Sequence, residues 1–171
     1  MDAIDRDREF TDFVAHRSPA LLRTAYLLCA GDRGAAEDLL QDVLERVYLR
    51  RRRIRGDYEP YARAALANTA ANRWRRLGRR VAETPLDDRD EGSPVAEDAI
   101  ATRGEVARAL STLPPRMRAV IVLRYFDDLT EAETARALGC SVGTVKSQNA
   151  RGLDRLRALF PLTTGGVRGH D

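Results

Sequence analysis

Between Gly78 and about Val95 the chain loses every trace of a helical pattern. The stretch ETPLDDRDEGSPV is acidic, holds two prolines and has no amphipathic period, the composition of a flexible linker rather than of a packed element. On both sides apolar residues return every three or four positions, and no alternating strand pattern persists. A chain patterned this way is expected to be all-α, folding as two small helical domains. They cover residues 5–78 and 96–161, joined by the linker 79–95 and followed by a disordered tail at 162–171. With 171 residues and 43% apolar content there is enough chain for two such bodies, and 32% charged residues suits helices that each show a wide solvated face.

Within the first domain, Phe10, Phe13 and Val14 mark a helix from about Asp5 to His16. Ser18-Pro19 then reads as a second helix start, serine capping and proline at the first helical position. Gly31-Asp32 ends that helix. A third runs from about Arg33 to Arg52 with Leu39, Leu40, Val43 and Val47 inward, Gly56 to Pro60 is a loop, and a fourth helix covers Tyr61 to about Leu77. In the second domain the periods fall at Ala96–Thr112, Pro114–Phe126, Thr130–Leu138 and Ser141–Phe160.

The segment LTEAETARALGCSVGTVKSQNARGL carries the strongest local signals. Thr130 with Glu133 three residues on is a capping box. Gly139 can take the left-handed conformation that ends a helix, and Ser141 can cap the next. Ala135 is small enough for two helices to cross closely, while Leu138, Val142 and Val145 pack back, with Leu113, Met117, Val120, Ile121 and Leu123 supplying the rest of the core. That spacing is a helix-turn-helix. It leaves Ser141, Thr144, Lys146, Ser147, Gln148 and Arg151 on the outer side. Arginine and glutamine suit base edges in a major groove, and Lys146 and the hydroxyls suit phosphates. The plainer alternative is a helical hairpin with a polar outer face.

Two further surfaces stand out in the first domain. AEDLLQDVLERVY presents Glu37, Asp38, Gln41, Asp42 and Glu45 opposite its apolar face; alone, this is a solvated helix side. GDYEPYARAALANTAANRWRR places Tyr58 and Tyr61 beside a loop and Asn68, Asn72, Arg73, Trp74 and Arg76 along one helix. Aromatics stack on unpaired bases, amides read base edges and arginines hold the backbone, a mixture suited to DNA that is being opened. Here the alternative is a core tryptophan and tyrosines with a solvated arginine face.

The net charge is only +3, yet of the 29 basic residues Lys146 is the only lysine, and arginines cluster at 50–55 and 73–80. Such clusters point to an anionic partner, nucleic acid first among them. Cys29, Cys140, His16 and His170 show no metal-ligand spacing, so neither a zinc site nor a disulfide framework is expected. The charged N-terminus lacks the apolar core of a signal peptide, and the apolar run around Pro19 to Ala30 is too short to span a bilayer and is broken by Arg23. No nucleophile triad and no phosphate-cradling glycine loop supports an enzyme. The expectation is a cytoplasmic, non-enzymatic protein with no cofactor, no metal, no small-molecule substrate and no membrane contact.

Taken together, the chain resembles the extracytoplasmic-function (ECF) sigma factors of the sigma-70 family over almost its whole length. AEDLLQDVLERVY looks like region 2.2, the segment Tyr61 to Arg80 like regions 2.3 to 2.4, and LSTLPPRMRAVIVLRYFDDLTEAETARALGCSVGTVKSQNARGLDRLR like region 4. SQNARGL is similar to an actinobacterial, SigE-like branch. The chain departs from the usual pattern at Thr134, where isoleucine is common, and at Asn149, where an apolar residue often lies. The resemblance implies a protein that binds core RNA polymerase and directs it to promoters. Asp38, Gln41, Asp42 and Glu45 would dock on the β′ clamp, with a further contact to the β flap. Ser141, Thr144, Lys146, Ser147, Gln148 and Arg151 would meet the −35 element. The loop Gly56 to Pro60 with Tyr58, Tyr61, Asn68, Asn72, Arg73, Trp74 and Arg76 would capture a flipped base of the −10 element. The acidic linker would thread near the RNA exit path, and an anti-sigma factor would be a further partner. The competing reading is an independent helix-turn-helix regulator that binds duplex DNA alone.

Overall fold

The computed structural model describes residues 2–78 and 97–160, with backbone alone at 73–78 and 97–102. The expected linker 79–95 and tail 162–171 lie outside these residues. Among the described residues there are seven helices and no strand: α1 Ala3–Leu28, α2 Arg33–Arg50, α3 Tyr58–Gly78, α4 Glu97–Ser111, α5 Pro115–Tyr125, α6 Glu131–Leu138 and α7 Val142–Leu159.

α1 is one helix where the sequence suggested two. Asp2 and Asp5 form a capping box at its start, and the helix runs straight through Pro19. An interior proline forfeits the amide that would reach back one turn and costs roughly 3 kcal/mol. Against this, Phe13, Leu21, Ala25 and Leu28 lie on one buried stripe that spans the proline. Each fully buried large apolar side chain contributes about 1.5–3 kcal/mol, so the stripe outweighs the break. Ser18 caps nothing, and its hydroxyl is buried without a hydrogen-bond partner.

The turn into α2 is forced left-handed at Ala30 (φ 55) and Gly31 (φ 86). Gly31 is required twice over, because a Cβ there would also meet Ala107 Cβ of α4 at 2.9 Å. Asp32 caps α2 by accepting from the Ala35 amide at 3.0 Å. α3 starts at Tyr58, three residues ahead of the expected Tyr61. Asp57 accepts from the Glu59 amide at 2.9 Å, and Pro60 falls in the first turn, where no intrahelical donor is needed. The loop before α3 is correspondingly short.

α5 is the buried spine of the second half: Met117 to Leu123 are all buried. Arg118 lies among them at 5% exposure. Its guanidinium donates to Leu110 O at 2.9 Å, Leu113 O at 3.0 Å and Leu28 O at 3.1 Å. Leu28 and Leu110 stand at the ends of α1 and α4, where carbonyls lack intrahelical donors and a cation is favoured. Burial pulls this guanidinium's pKa down from its ordinary position, so its three acceptors are what keep a buried charge tolerable.

The core of the first half is Leu21, Leu39, Val43, Val47 and Leu66, that of the second Leu110, Leu113, Val120 to Leu123 and Val145, and the two form one continuous cluster. α3 packs on α5 and α6, and α1 on α4 and α5, so the two helical bodies read from the sequence lie against each other.

Candidate nucleic-acid interface

The helix-turn-helix forms as its caps dictate. Thr130 accepts from the Glu133 amide at 3.1 Å while Glu133 accepts from the Thr130 amide at 2.7 Å, which holds the Glu133 carboxyl below the usual carboxylate range. Gly139 ends α6 at φ 63, and Ser141 caps α7 by accepting from the Thr144 amide at 3.1 Å. The Ser141 and Thr144 hydroxyls also pair at 2.9 Å. Val142, expected to pack back, is instead 39% exposed. It sits in the first turn, ahead of the point where α7 meets its neighbours, so only Val145 (0% exposed) plugs the corner.

Ser141, Thr144, Lys146, Ser147 and Arg151 are exposed, and Gln148 is half-buried. Lys146 reaches the edge of α6, with Nζ 3.9 Å from the Glu131 carboxylate. One row of hydrogen-bonding side chains therefore projects from a helix whose inner side is fixed. Two residues that fix it went unassigned in the sequence. Gly152 is buried where α7 crosses α5: a Cβ there would lie 2.9 Å from Ile121 Cγ1, 3.0 Å from Ile121 Cδ1 and 3.2 Å from Met117 Cγ. Asn149, one turn earlier, donates its amide to the Tyr125 hydroxyl at 3.0 Å. The signal in the sequence is their spacing, since 145, 149 and 152 follow one helical stripe. Thr134, the other departure from the family pattern, is 0% exposed, and its hydroxyl has no partner.

On α3, Asn68 is half-buried and Asn72 exposed, one turn apart on the same side. Asn68 Nδ2 donates to Ala64 O at 2.9 Å and to Ala137 O of α6 at 2.6 Å. Tyr61 is half-buried. Tyr58 is 6% exposed, its ring edge-on to Phe13 (centroids 5.5 Å apart) and Phe10 (6.2 Å). Burial, with Glu9 nearby, pushes its hydroxyl pKa up. In this arrangement Tyr58 is a wall rather than an open stacking surface. Arg73, Trp74 and Arg76 belong to α3, but their side chains lie outside the described residues.

Tyr58 lines an open cleft of about 910 Å³ between the start of α3 and α1, shared with Arg6, Arg17, Arg51, Arg55 and Glu59. Hydrogen bonds and ion pairs frame the cleft. Arg6 donates to Arg52 O at 2.7 Å, Arg51 pairs with Asp7 at 2.6 Å and lies over the Tyr48 ring, and Glu59 receives both Arg17 and Arg63. Glu9, Asp12 and Asp57 line it too, so carboxylates match its guanidinium groups beside the aromatic wall.

On α2, Asp38, Gln41 and Glu45 are exposed and Asp42 is half-buried. Gln41 and Glu45 border an apolar groove of about 530 Å³ between α1 and α2, lined by Phe10, Val14, Leu22, Leu40, Leu44 and Tyr48. The sequence pattern gave the acidic row but not the groove beside it. Among the described residues no group of three or more His, Cys, Asp or Glu comes together as a metal site needs, and no helix is long and apolar enough to cross a membrane.

Comparison with known proteins agrees with this layout. Residues 13–80 match Sigma-70 region 2 and residues 103–156 match Sigma-70, region 4. The chain is 40% identical over 153 residues to the RNA polymerase sigma-E factor of Streptomyces coelicolor, covering 87% of this chain and 84% of that one. It is 30% identical over 155 residues to the ECF RNA polymerase sigma factor SigE of Mycolicibacterium smegmatis, 85% of this chain and 59% of that one. The fold matches the sigma factor RpoE solved with the anti-sigma factor NepR from Bartonella quintana, with TM-score 0.68 and 23% identity, over 91% of this chain and 99% of that one. It also matches CnrH solved with the cytosolic domain of CnrY, with TM-score 0.64 and 22% identity, over 90% and 88%. With region 2 over α1 to α3, region 4 over α4 to α7, and close relatives along most of the length, the chain belongs to the ECF sigma factors, the initiation subunits that bring RNA polymerase to promoter DNA.

Proposed function

We propose a division of labour among named residues in this sigma factor. Ser141, Thr144, Lys146, Ser147, Gln148 and Arg151 meet the −35 element in the major groove. The cleft at the start of α3, lined by Tyr58, takes a flipped base of the −10 element, and Tyr61, Asn68, Asn72, Arg73, Trp74 and Arg76 hold the melted strand. Asp38, Gln41, Asp42 and Glu45 dock on the β′ clamp of core polymerase, and the apolar groove beside Gln41 and Glu45 gives that contact its buried centre. The second half also meets the β flap. The domains are residues 5–78 and 96–161, joined by the linker 79–95 that passes near the RNA exit path.

Opening follows from differential binding. Only melted DNA offers an unpaired base to the cleft, so contacts made there favour the open form. The chain makes and breaks no bond, needs no cofactor, and works in the cytoplasm beside polymerase and promoter. An anti-sigma factor completes the reading, because both fold neighbours were solved with such a partner or a cytosolic domain bound.

The observation that carries this assignment is the exposed polar row on α7, set on a helix immobilised by Val145 and Gly152. The test is reconstituted transcription with core polymerase, this chain and a pool of promoter fragments, beside a gel shift with the chain alone. Transcripts that need both proteins, and whose −35 preference changes in Arg151→Ala, are expected. Tight duplex binding without polymerase and no transcript would replace the assignment with an independent regulator.

A further inference from the structure

Lys146 is the only lysine among 29 basic residues, and all the others are arginine. A guanidinium stays protonated and attacks nothing, whereas an ε-amine that gives up its proton is a nucleophile toward activated acyl groups. The chain therefore places its one side-chain amine at a single point, and that point is the outer row of α7. The Lys146 side chain is 65% exposed. Its neighbours on the same helical stripe, three residues before and four after, are Gly143 and Ala150, both exposed and both small. No bulky side chain of α7 shields the amine.

Its ion pair is loose. Nζ stands 3.9 Å from Glu131 Oε2 of α6, too far for a hydrogen bond, and an exposed pair of this kind holds its amine weakly. The pair nevertheless matters for charge. Lys146 and Glu131 cancel each other at the edge of the helix-turn-helix. Conversion of the amine to an amide removes the cation and leaves the Glu131 carboxylate uncovered beside it. One acyl group thus turns a neutral pair into a net negative charge next to the row that meets DNA phosphates.

We propose that Lys146 is an acylation site, at which an activated acyl donor (an acyl phosphate or an acyl thioester) releases the grip of α7 on the −35 element. The proposal rests on the assignment of the outer row to that element. The ε-nitrogen attacks the acyl carbon and a C–N bond forms. The bond from that carbon to the phosphate oxygen or the thiol sulfur breaks, phosphate or thiolate leaves with the electron pair, and the proton shed by nitrogen passes to solvent. The product is a neutral amide with no charge to offer a phosphate. Promoter use by the holoenzyme falls as the donor accumulates.

The test treats the full chain with acetyl phosphate or, in a separate arm, with acetyl-coenzyme A. The reagent is removed and the chain is then assembled with core polymerase. Intact mass and peptide mapping locate the acetyl group. Anisotropy of a fluorescein-labelled promoter duplex, repeated over a salt series, reads binding by the holoenzyme. Acetylation at Lys146 is expected with at least one donor, and the arms show which. Affinity is expected to fall about tenfold, with the salt dependence lowered by about one charge. In Glu131→Gln, where no carboxylate is uncovered, the fall is expected to shrink to about threefold. Lys146→Arg keeps a cation that takes no acyl group, so its affinity, whatever its starting level, is expected to be the same before and after treatment. No acetyl group at Lys146 with either donor, an acetylated chain that binds as well as the untreated one, or an equal fall in Lys146→Arg would overturn the proposal. Unchanged affinity in Lys146→Ala would instead overturn the −35 assignment of this residue, because there would be no grip for acylation to release.

Discussion

The Asn149 amide donates to the Tyr125 hydroxyl at 3.0 Å, tying the middle of α7 to the last residue of α5. The other end of the Asn149 side chain is buried without a partner. These two facts pull in opposite directions. The bond contributes about 1 kcal/mol, and an orphaned buried acceptor costs about 1–3 kcal/mol. Tyr125→Phe removes only the bond and is expected to destabilise the fold by roughly 0.5–1.5 kcal/mol. Asn149→Leu removes the bond and the orphan together and is expected to be neutral or stabilising. Urea melts of the two single variants and the double variant read the coupling directly. Equal losses in both singles would show that the amide oxygen is in fact satisfied.

Gly152 sets how close α7 lies to α5. A methyl group at this position arrives 2.9 Å from Ile121 Cγ1 and 3.2 Å from Met117 Cγ. Alanine gains about 1 kcal/mol of helix propensity over glycine, but overpacking a filled core costs typically 1–3 kcal/mol. Gly152→Ala is expected to lose stability on balance and to weaken −35 binding by displacing the whole outer row. Ile121→Val in the same chain makes room and is expected to restore part of both. A Gly152→Ala chain with a higher melting temperature and unchanged promoter binding would remove the close crossing from the account.

The turn signals around α6 were legible because they are local. Thr130 with Glu133, Gly139 and Ser141 each act within four residues, and each does what its chemistry predicts. Pro19 misled for the opposite reason: its start signal is local, while the stripe that overrides it is set by packing on α2 and α3. Gly152 and Asn149 look like a weak helix former and a solvated amide until α5 is placed against them. The partner of Asn68 lies 69 positions away in the chain, and no sequence period reports such a pairing. The groove beside Gln41 and Glu45 is hidden likewise, being made jointly by α1 and α2.

Thr134 carries a hydroxyl into a fully buried site and finds it no partner. Valine has nearly the same shape and nothing to satisfy. Thr134→Val is expected to stabilise the chain by about 1 kcal/mol, which raises the melting temperature by roughly 2–4 °C for a protein of this size. Scanning calorimetry decides it. A fall in melting temperature would mean that the hydroxyl bonds a group in solution, a buried water being the first suspect.

The outer row of α7 should behave as a reading surface. Arg151→Ala and Gln148→Ala are each expected to cost about 1–3 kcal/mol of discrimination at one base pair while moving stability by under about 0.5 kcal/mol at exposed Arg151. Lys146→Ala, if the residue meets a phosphate, weakens all sequences alike and lowers the salt dependence by about one charge. Competition binding by the holoenzyme on −35 variants, repeated over a salt series, separates the two patterns. A uniform loss in Arg151→Ala would reassign that guanidinium to the backbone.

Asp127 is expected to make the stability of the fold sensitive to pH in a defined direction. Burial pushes its carboxyl above the ordinary value of 3.8. The Thr24 hydroxyl from α1 and Arg63 from α3 oppose the shift, while Glu59 and neighbouring Asp128 add to it. A raised carboxyl means that the folded form holds its proton longer than the unfolded chain does. Stability is therefore greatest below the unfolded value and falls as pH rises through the interval up to the raised folded one. The wild type is expected to lose ground against Asp127→Asn across that interval, because asparagine has no proton to release, and the gap becomes constant above it. Paired thermal melts between pH 4 and 8, read as the difference between the two chains, test the sign. A difference that moves the other way with pH would show that Thr24 and Arg63 outweigh burial at this carboxylate.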